Sequence, residues 1–167
     1  MIINSDNLED IREKHKGKKI IYATGSFDLL HVGHVIFFEN CKKLGDILVV
    51  GVGKDVLLKL SKDPNKPIFG ENVRLKMVDS IKAVDYAFLI PNEIFQVEGF
   101  HKIMLEPVFK RLHPDVFVVN EEGGGLGERK IVCEQNGVEM KVLPRDFPEG
   151  LGPFSTTAII EKVKRLS

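Results

Sequence analysis

Thr24-Gly25-Ser26-Phe27-Asp28-Leu29-Leu30-His31-Val32-Gly33-His34 joins an apolar run to a stretch of helical spacing, and its reading decides the fold. The residues before it, Ile20-Ile21-Tyr22-Ala23, suit a short buried strand. Those after it keep helical spacing through Val35, Phe37, Phe38, Cys41 and Leu44, and Gly45 supplies the stop. The stretch is therefore a strand-to-helix corner. At such a corner the unpaired N–H groups of the helix's first turn, with the helix dipole behind them, favour a bound anion. Read from its residues, this is a phosphate-handling turn.

Working outward, the chain alternates strand and helix. A charged lead-in helix spans Asn4 to Lys16, capped by Ser5, Asp6 or Asn7, and Ile47 to Val52 makes a second buried strand. A short helical turn over Val56 to Ser61 leads into the proline-broken loop Lys62 to Pro67, then a helix over Asn72 to Ala83 with Arg74 in its first turn. Strand Tyr86 to Ile90 precedes a helix over Gln96 to Leu112, interrupted or restarted at Glu106-Pro107 and broken at His113-Pro114-Asp115. Strand Val116 to Val119, a glycine-rich loop over Asn120 to Gly127, helix Glu128 to Asn136, strand Glu139 to Leu143 and a closing helix Ser155 to Leu166 complete the order. Alternation of this kind predicts an α/β, Rossmann-like doubly wound sheet of about five parallel strands with helices on both faces. Ligands of such sheets bind beyond the carboxyl ends of the strands, near a topological switch point. The opening corner, the Gly51 region, the Asn120 loop and the Arg145 loop should share one cleft.

With 167 residues, 43% hydrophobic and 29% charged, the chain is expected to form one domain over 1–167, with 1–18 as a helical lead-in. Lys plus Arg and Asp plus Glu both total 24, which removes the electrostatic argument for nucleic acid or an anionic membrane as partner. The two cysteines, Cys41 and Cys133, fit reduced thiols better than a disulfide framework. No signal-peptide core or membrane-length apolar run is present, so the expected setting is cytoplasmic.

Several motifs invite sharper readings. Gly51-Val52-Gly53-Lys54-Asp55 lacks the long glycine loop and the Lys-[Ser/Thr] ending of a P-loop, and reads as a strand end where another element approaches. His31 and His34 cannot share a metal ion with Cys41, which lies about 10 Å further along the helix. Asp28 either orients backbone groups or ligates metal. Arg74 is structural rather than catalytic, and His15, His101 and His113 are surface residues.

Gly25-Ser26-Phe27-Asp28-Leu29-Leu30-His31-Val32-Gly33-His34 resembles the G-[ST]-F-D-x-x-H-x-G-H signature of the cytidylyltransferase-like nucleotidyltransferases. The resemblance continues through Glu71-Asn72-Val73-Arg74, Val84-Asp85, Pro114-Asp115-Val116, and Leu143-Pro144-Arg145 followed by Phe154-Ser155-Thr156-Thr157, covering roughly residues 19 to 166. The resemblance points first to the glycerol-3-phosphate cytidylyltransferases, then to adenylyltransferases for heptose phosphate and archaeal flavin nucleotides. The resemblance implies attack of a small phosphorylated acceptor on the α-phosphorus of a nucleoside triphosphate with Mg2+, releasing pyrophosphate. It makes His31, His34, Arg145 and Lys66 catalytic. It assigns Gly25, Ser26, Phe27, His31, Gly33, His34, Arg145, Phe154, Ser155, Thr156 and Thr157 to the nucleotide. Lys62 and Lys102 would neutralise charge or hold the acceptor, Asn120, Glu121 and Glu122 would meet base or metal, and Asp28 is a weak metal candidate. Phosphoryl-type transfer is mostly positioning and charge stabilisation, which imidazole N–H groups and helix N-termini supply. Gly33 would leave the backbone bare so that a phosphate can approach.

The likeness is weakest in two loops. Asn120-Glu121-Glu122 stands where many members carry a glycine and aspartates, and the segment from Asp146 to Pro153 is longer than the compact family version. The first expectation is transfer of CMP from CTP to an acceptor such as glycerol 3-phosphate, in a homodimer. The alternatives are ATP with a sugar phosphate or flavin mononucleotide acceptor and, from another class, a catalytically silent nucleotide-binding module. The neutral charge argues against the related aminoacyl-tRNA synthetase core.

Overall fold

A computed structural model of the chain describes residues 1–59, 67–91, 100–145, 147, 149–151 and 155–166. The elements are α1 (Leu8–Lys14), β1 (Ile20–Gly25), α2 (Val32–Lys42), β2 (Ile47–Val52), α3 (Asp55–Lys59), α4 (Glu71–Asp79), β3 (Tyr86–Leu89), α5 (Phe100–Leu112), β4 (Val116–Asn120), α6 (Leu126–Gln135), β5 (Glu139–Leu143) and α7 (Thr156–Lys164). The strands form one parallel sheet in the order β3-β2-β1-β4-β5. The chain leaves β1 toward one edge through β2 and β3, then crosses to the other side through β4 and β5. The crevice between β1 and β4 is therefore the switch point where such sheets bind ligands.

Strands β1 to β4 are buried on both faces, as their continuous apolar runs require, while the edge strand β5 has no fully buried residue and leaves Val142 exposed. On one face Tyr22, Phe88 and Phe117 pack with Leu8 and Ile11 of α1, Leu105, Val108, Phe109 and Leu112 of α5, and Val132 and Cys133 of α6. On the other face Ile21, Ala23, Leu48, Val50, Val116 and Val118 meet Phe38 and Cys41 of α2 and Leu75 and Val78 of α4. Both cysteines are free and buried. Gly51 is where elements approach closely: a Cβ there would lie 2.6 Å from the Tyr22 hydroxyl.

Five local expectations are corrected. Ser5–Asn7 forms a separate 3-10 turn before α1, and its cap is Asn4, whose side chain accepts from the Asp6 N–H. The short polar side chain one residue upstream reached the first free donor. Pro107 lies inside a continuous α5 rather than at a break. Burying Met104, Leu105, Val108, Phe109 and Leu112 around it, at roughly 1.5 to 3 kcal/mol per large side chain, exceeds the ~3 kcal/mol cost of an interior proline. The α4 helix ends at Asp79, with residues 80–83 in turns. The α6 helix begins at Leu126, so Gly127 is helical, and the left-handed residue the loop needs is Gly125 at φ 70°. His101 is no surface residue: its ring is largely covered and pairs with Glu128 at 2.6 Å, holding α5 to the first turn of α6. His15 is half-buried against the Tyr86 hydroxyl at 2.9 Å, and only His113, where the chain leaves α5 at φ 44°, is exposed. Among the described residues no helix is long and apolar enough to cross a membrane.

Candidate active site

The corner between β1 and α2 is built from residues far apart in the chain. Phe27 and Leu29 both adopt left-handed backbone, at φ 50° and 47°, which costs of order 1 to 3 kcal/mol per residue unless the surroundings enforce it. Enforcement comes from both sides of Asp28. Its carboxylate accepts from the N–H groups of Ile68 (2.9 Å) and Phe69 (3.0 Å), and its carbonyl accepts from the Thr156 hydroxyl at 3.0 Å. Beneath lies Arg74, fully buried, donating to the carbonyls of Ser26, Gly53 (2.6 Å) and Phe69 (2.9 Å) and to the Asp55 carboxylate (2.9 Å). The structural reading of Arg74 holds, since every acceptor it meets is part of the protein. Gly25 is needed because a Cβ there would press into the Phe27 ring at 2.9 Å.

The helix start that follows is capped by its own histidines. His31 Nδ1 accepts from the Gly33 N–H at 3.1 Å, and His34 Nδ1 accepts from the His31 N–H at 3.3 Å. A backbone N–H can only donate, so both Nδ1 atoms are lone-pair acceptors and each ring carries its proton on Nε2. The rings lie 4.1 Å apart, and His34 meets Phe27 edge to face at 5.6 Å. Burial, with Arg145 nearby, holds His31 below its ordinary range. Burial, then His31 and Arg145, pushes His34 down to about 4. At neutral pH both are uncharged imidazoles. Gly33 serves this cap, because the space a Cβ would take lies 2.9 Å from the His31 ring and 3.1 Å from Phe147. The bare backbone thus accommodates side chains of the protein.

These groups border a cleft of about 490 Å³ at the carboxyl ends of β1 and β4. Its lining includes Gly25, Ser26, Phe27, Asp28, His31, Gly33, His34, Asn120, Glu122, Arg145, Ser155, Thr156 and Thr157, so the two distant motifs do converge. On the far wall Arg145 is ion-paired to Glu122 and sits 5.7 Å from the Phe147 ring centroid, while its N–H donates to Glu121 at 2.9 Å. Asn120 turns the loop by accepting from the Glu122 N–H at 3.1 Å. At the start of α7, Ser155 is the N-cap and accepts from the Ala158 N–H at 3.1 Å, and the Thr156 hydroxyl is spent on Asp28. What this helix start offers a ligand is its first-turn N–H groups and the exposed Thr157 hydroxyl.

Lys62, Lys66 and Phe154 lie outside the described residues. Lys102 is exposed on α5 and does not border the cleft. Arg129, on the first turns of α6, does border it and carries no motif signal. Asp28, the metal candidate, has each carboxylate oxygen accepting one backbone N–H, which is the backbone-orienting alternative of its sequence reading. Among the described residues no group of three or more His, Cys, Asp or Glu side chains is arranged to hold a metal. The protein therefore builds no cage for Mg2+ among them, and that ion commonly binds through substrate phosphates.

The cytidylyltransferase-like family model matches residues 22–162, spanning β1, the histidine corner, the Arg145 wall and most of α7. The chain belongs to the cytidylyltransferase-like family. Its relatives include the bifunctional protein HldE of a Nitratiruptor species, 34% identical over 92% of this chain and 29% of that protein. HldE of Helicobacter pylori is 33% identical over 95% of this chain and 31% of that one. The chain thus spans about a third of the length of the curated relatives it matches. Among solved structures, a lipopolysaccharide core biosynthesis protein from Thermoplasma volcanium aligns with a TM-score of 0.60 and 29% identity, covering 83% of this chain and all of that one. A pantoate-beta-alanine ligase from Francisella tularensis, at 16% identity and a TM-score of 0.61 over 98% of this chain and 77% of that one, shares the fold.

Proposed function

We propose that the chain transfers an adenylyl group from ATP to a small sugar phosphate, releasing pyrophosphate by in-line attack of the acceptor's phosphate oxygen on the α-phosphorus. The observation that carries the transfer chemistry is the pair of imidazoles whose protons are fixed on Nε2. As the new P–O bond forms and the bond to pyrophosphate breaks, charge grows on the phosphoryl oxygens. Neutral N–H donors held by backbone caps stabilise that charge without having to lose a proton or reorganise. The α7 start and Arg145 supply the opposing donors. No side chain need form a covalent intermediate. Magnesium enters as the counter-ion of the triphosphate.

Support for a sugar phosphate comes from the relatives. The Thermoplasma protein is named for lipopolysaccharide core biosynthesis, and the core is a saccharide. Heptose-phosphate adenylyltransferases are among the groups the signature resembles, and the Asn120-Glu121-Glu122 loop departs from the glycine and aspartates of many family members, which weakens the case for CTP. The second reading, CTP with glycerol 3-phosphate, keeps the support of the Gly25-to-His34 signature. Pyrophosphate release measured for four nucleoside triphosphates against hexose and heptose phosphates, glycerol 3-phosphate and flavin mononucleotide separates them. Turnover with ATP and a sugar phosphate is expected. Preference for CTP with glycerol 3-phosphate would replace this reading, and nucleotide binding without pyrophosphate release across the panel would make the chain a silent binding module. The homodimer implied by the resemblance is tested by sedimentation.

A further inference from the structure

We propose that Arg129 is a further substrate-binding residue of the cleft, its guanidinium holding a phosphate oxygen of a bound ligand. The inference rests on the nucleotidyl-transfer reading and adds to it a cation that the signature motifs do not contain. Arg129 lies one turn into α6, behind the carboxyl end of β4, and borders the same cleft as His31 and His34. Its Nε is buried and has no hydrogen-bond partner among the described residues. A guanidinium stays protonated throughout the physiological range, and withdrawing it from water without a counter-charge is strongly unfavourable. Burial is the main influence lowering its proton affinity.

Each nearby carboxylate is committed elsewhere. Glu128, one residue before, acts favourably on Arg129 through its charge, but its carboxylate is hydrogen-bonded to His101 at 2.6 Å. Glu122 pairs with Arg145, and Asp28 receives the N–H groups of Ile68 and Phe69. Tyr22 and Cys133, the other groups whose charge would act on Arg129, stay neutral because burial pushes the phenol up and the thiol up to about 11. No described carboxylate is hydrogen-bonded to Arg129 Nε, and a ligand phosphate would supply that partner. Arg74 shows how this fold treats a buried arginine that is purely structural: it is surrounded by four acceptors. Arg129 is built differently and faces a cavity whose other donors, two helix starts and two imidazole N–H groups, suit phosphate oxygens. Two phosphates meet in such a cleft, the nucleotide's and the acceptor's.

Binding to the full chain, wild type against Arg129→Met and Arg129→Lys, distinguishes them, with inorganic tripolyphosphate, ATP, CTP, glycerol 3-phosphate and a hexose 1-phosphate as probes. For Arg129→Met we expect roughly tenfold to hundredfold weaker binding of the phosphate-bearing partner, with partial recovery in Arg129→Lys, which keeps the charge but loses the planar fork. The thermal midpoint of the ligand-free Met variant should be unchanged or higher, because a half-buried side chain whose buried Nε has no partner among the described residues is replaced by an aliphatic chain of similar length. Weakening of tripolyphosphate and ATP together assigns the guanidinium to the triphosphate, and weakening of the sugar or glycerol phosphate alone assigns it to the acceptor. Unchanged affinities in both variants overturn the proposal, as does a lowered midpoint with unchanged affinities, the mark of a structural role. If the wild type binds tripolyphosphate but never releases pyrophosphate, the nucleotidyl-transfer reading fails while the Met comparison still decides Arg129. If the wild type binds no probe, both fall.

Discussion

The floor of the cleft and its far wall treat charge in opposite ways. Under the β1–α2 corner, Arg74 and Asp28 are saturated by the protein itself, with four acceptors around the guanidinium and two N–H groups on the carboxylate. Across the cleft, Arg129 has a buried nitrogen without a partner among the described residues, and Arg145 is balanced by Glu122, whose side chain is 60% exposed. The floor is satisfied within the protein, while on the wall the buried Nε of Arg129 is left without a partner among the described residues. Preorganisation is thus confined to the side that fixes the imidazole protons, where the chemistry needs an unmoving reference.

Breaking the floor should have the largest effect. Arg74→Met removes the common donor of three carbonyls and a carboxylate, and urea unfolding should show a loss of roughly 3 kcal/mol or more. A loss below about 1 kcal/mol would mean the corner does not depend on it. Next, His34→Ala should lower turnover on the order of a hundredfold or more at a stability cost of about 1 kcal/mol from the lost cap, with circular dichroism unchanged. Turnover at the wild-type rate would remove His34 from the reaction. A smaller effect follows from pH. His34 in the unfolded chain takes up its proton near 6.5, but in the folded chain only near 4. Below 6.5 the unfolded state therefore binds more protons, and stability should decline as pH falls from 6.5 through about 4, with no contribution above that range. Melting from about pH 8 to 4 should show a drop on the order of 5 °C that flattens in His34→Ala, and parallel curves would contradict it. The smallest change is expected on the wall: Glu122→Gln frees Arg145 from a largely exposed pair worth ~0 to 1 kcal/mol, so the KM for the triphosphate should fall by no more than about fivefold. A rise in KM would show that Glu122 itself binds substrate.

The sheet was legible because parallel strands buried on two faces leave apolar runs such as Ile47 to Val52, and the corner because Gly25 to His34 is contiguous. Partners separated along the chain were not legible in this way. Nothing local to Asp28 says that its oxygens meet residues 40 and 41 positions later, and spacing alone left it equally suited to metal. Thr156 reads as a phosphate donor because helix starts commonly are, yet its hydroxyl lies on the Asp28 carbonyl. Pro107 defeats a local rule because burial of its neighbours prevails. Arg129 had no signal at all, since an arginine in an amphipathic helix reads as solvated until the cavity beside it is known.

Thr156 reaches the Asp28 carbonyl across 128 residues of chain. The left-handed backbone at Phe27 and Leu29 is held from the Ile68–Phe69 segment, from α4 and from α7, so β1 can pair with its neighbours long before the turn at its end settles. The order of events in folding is then sheet first and site last. In pulsed hydrogen exchange the amides of β1 and β2 should gain protection ahead of those of Ile68 and Phe69, and simultaneous protection would refute that order. A newly made molecule would pass through a compact form with its sheet complete and no working cleft, becoming competent only when the last helix docks.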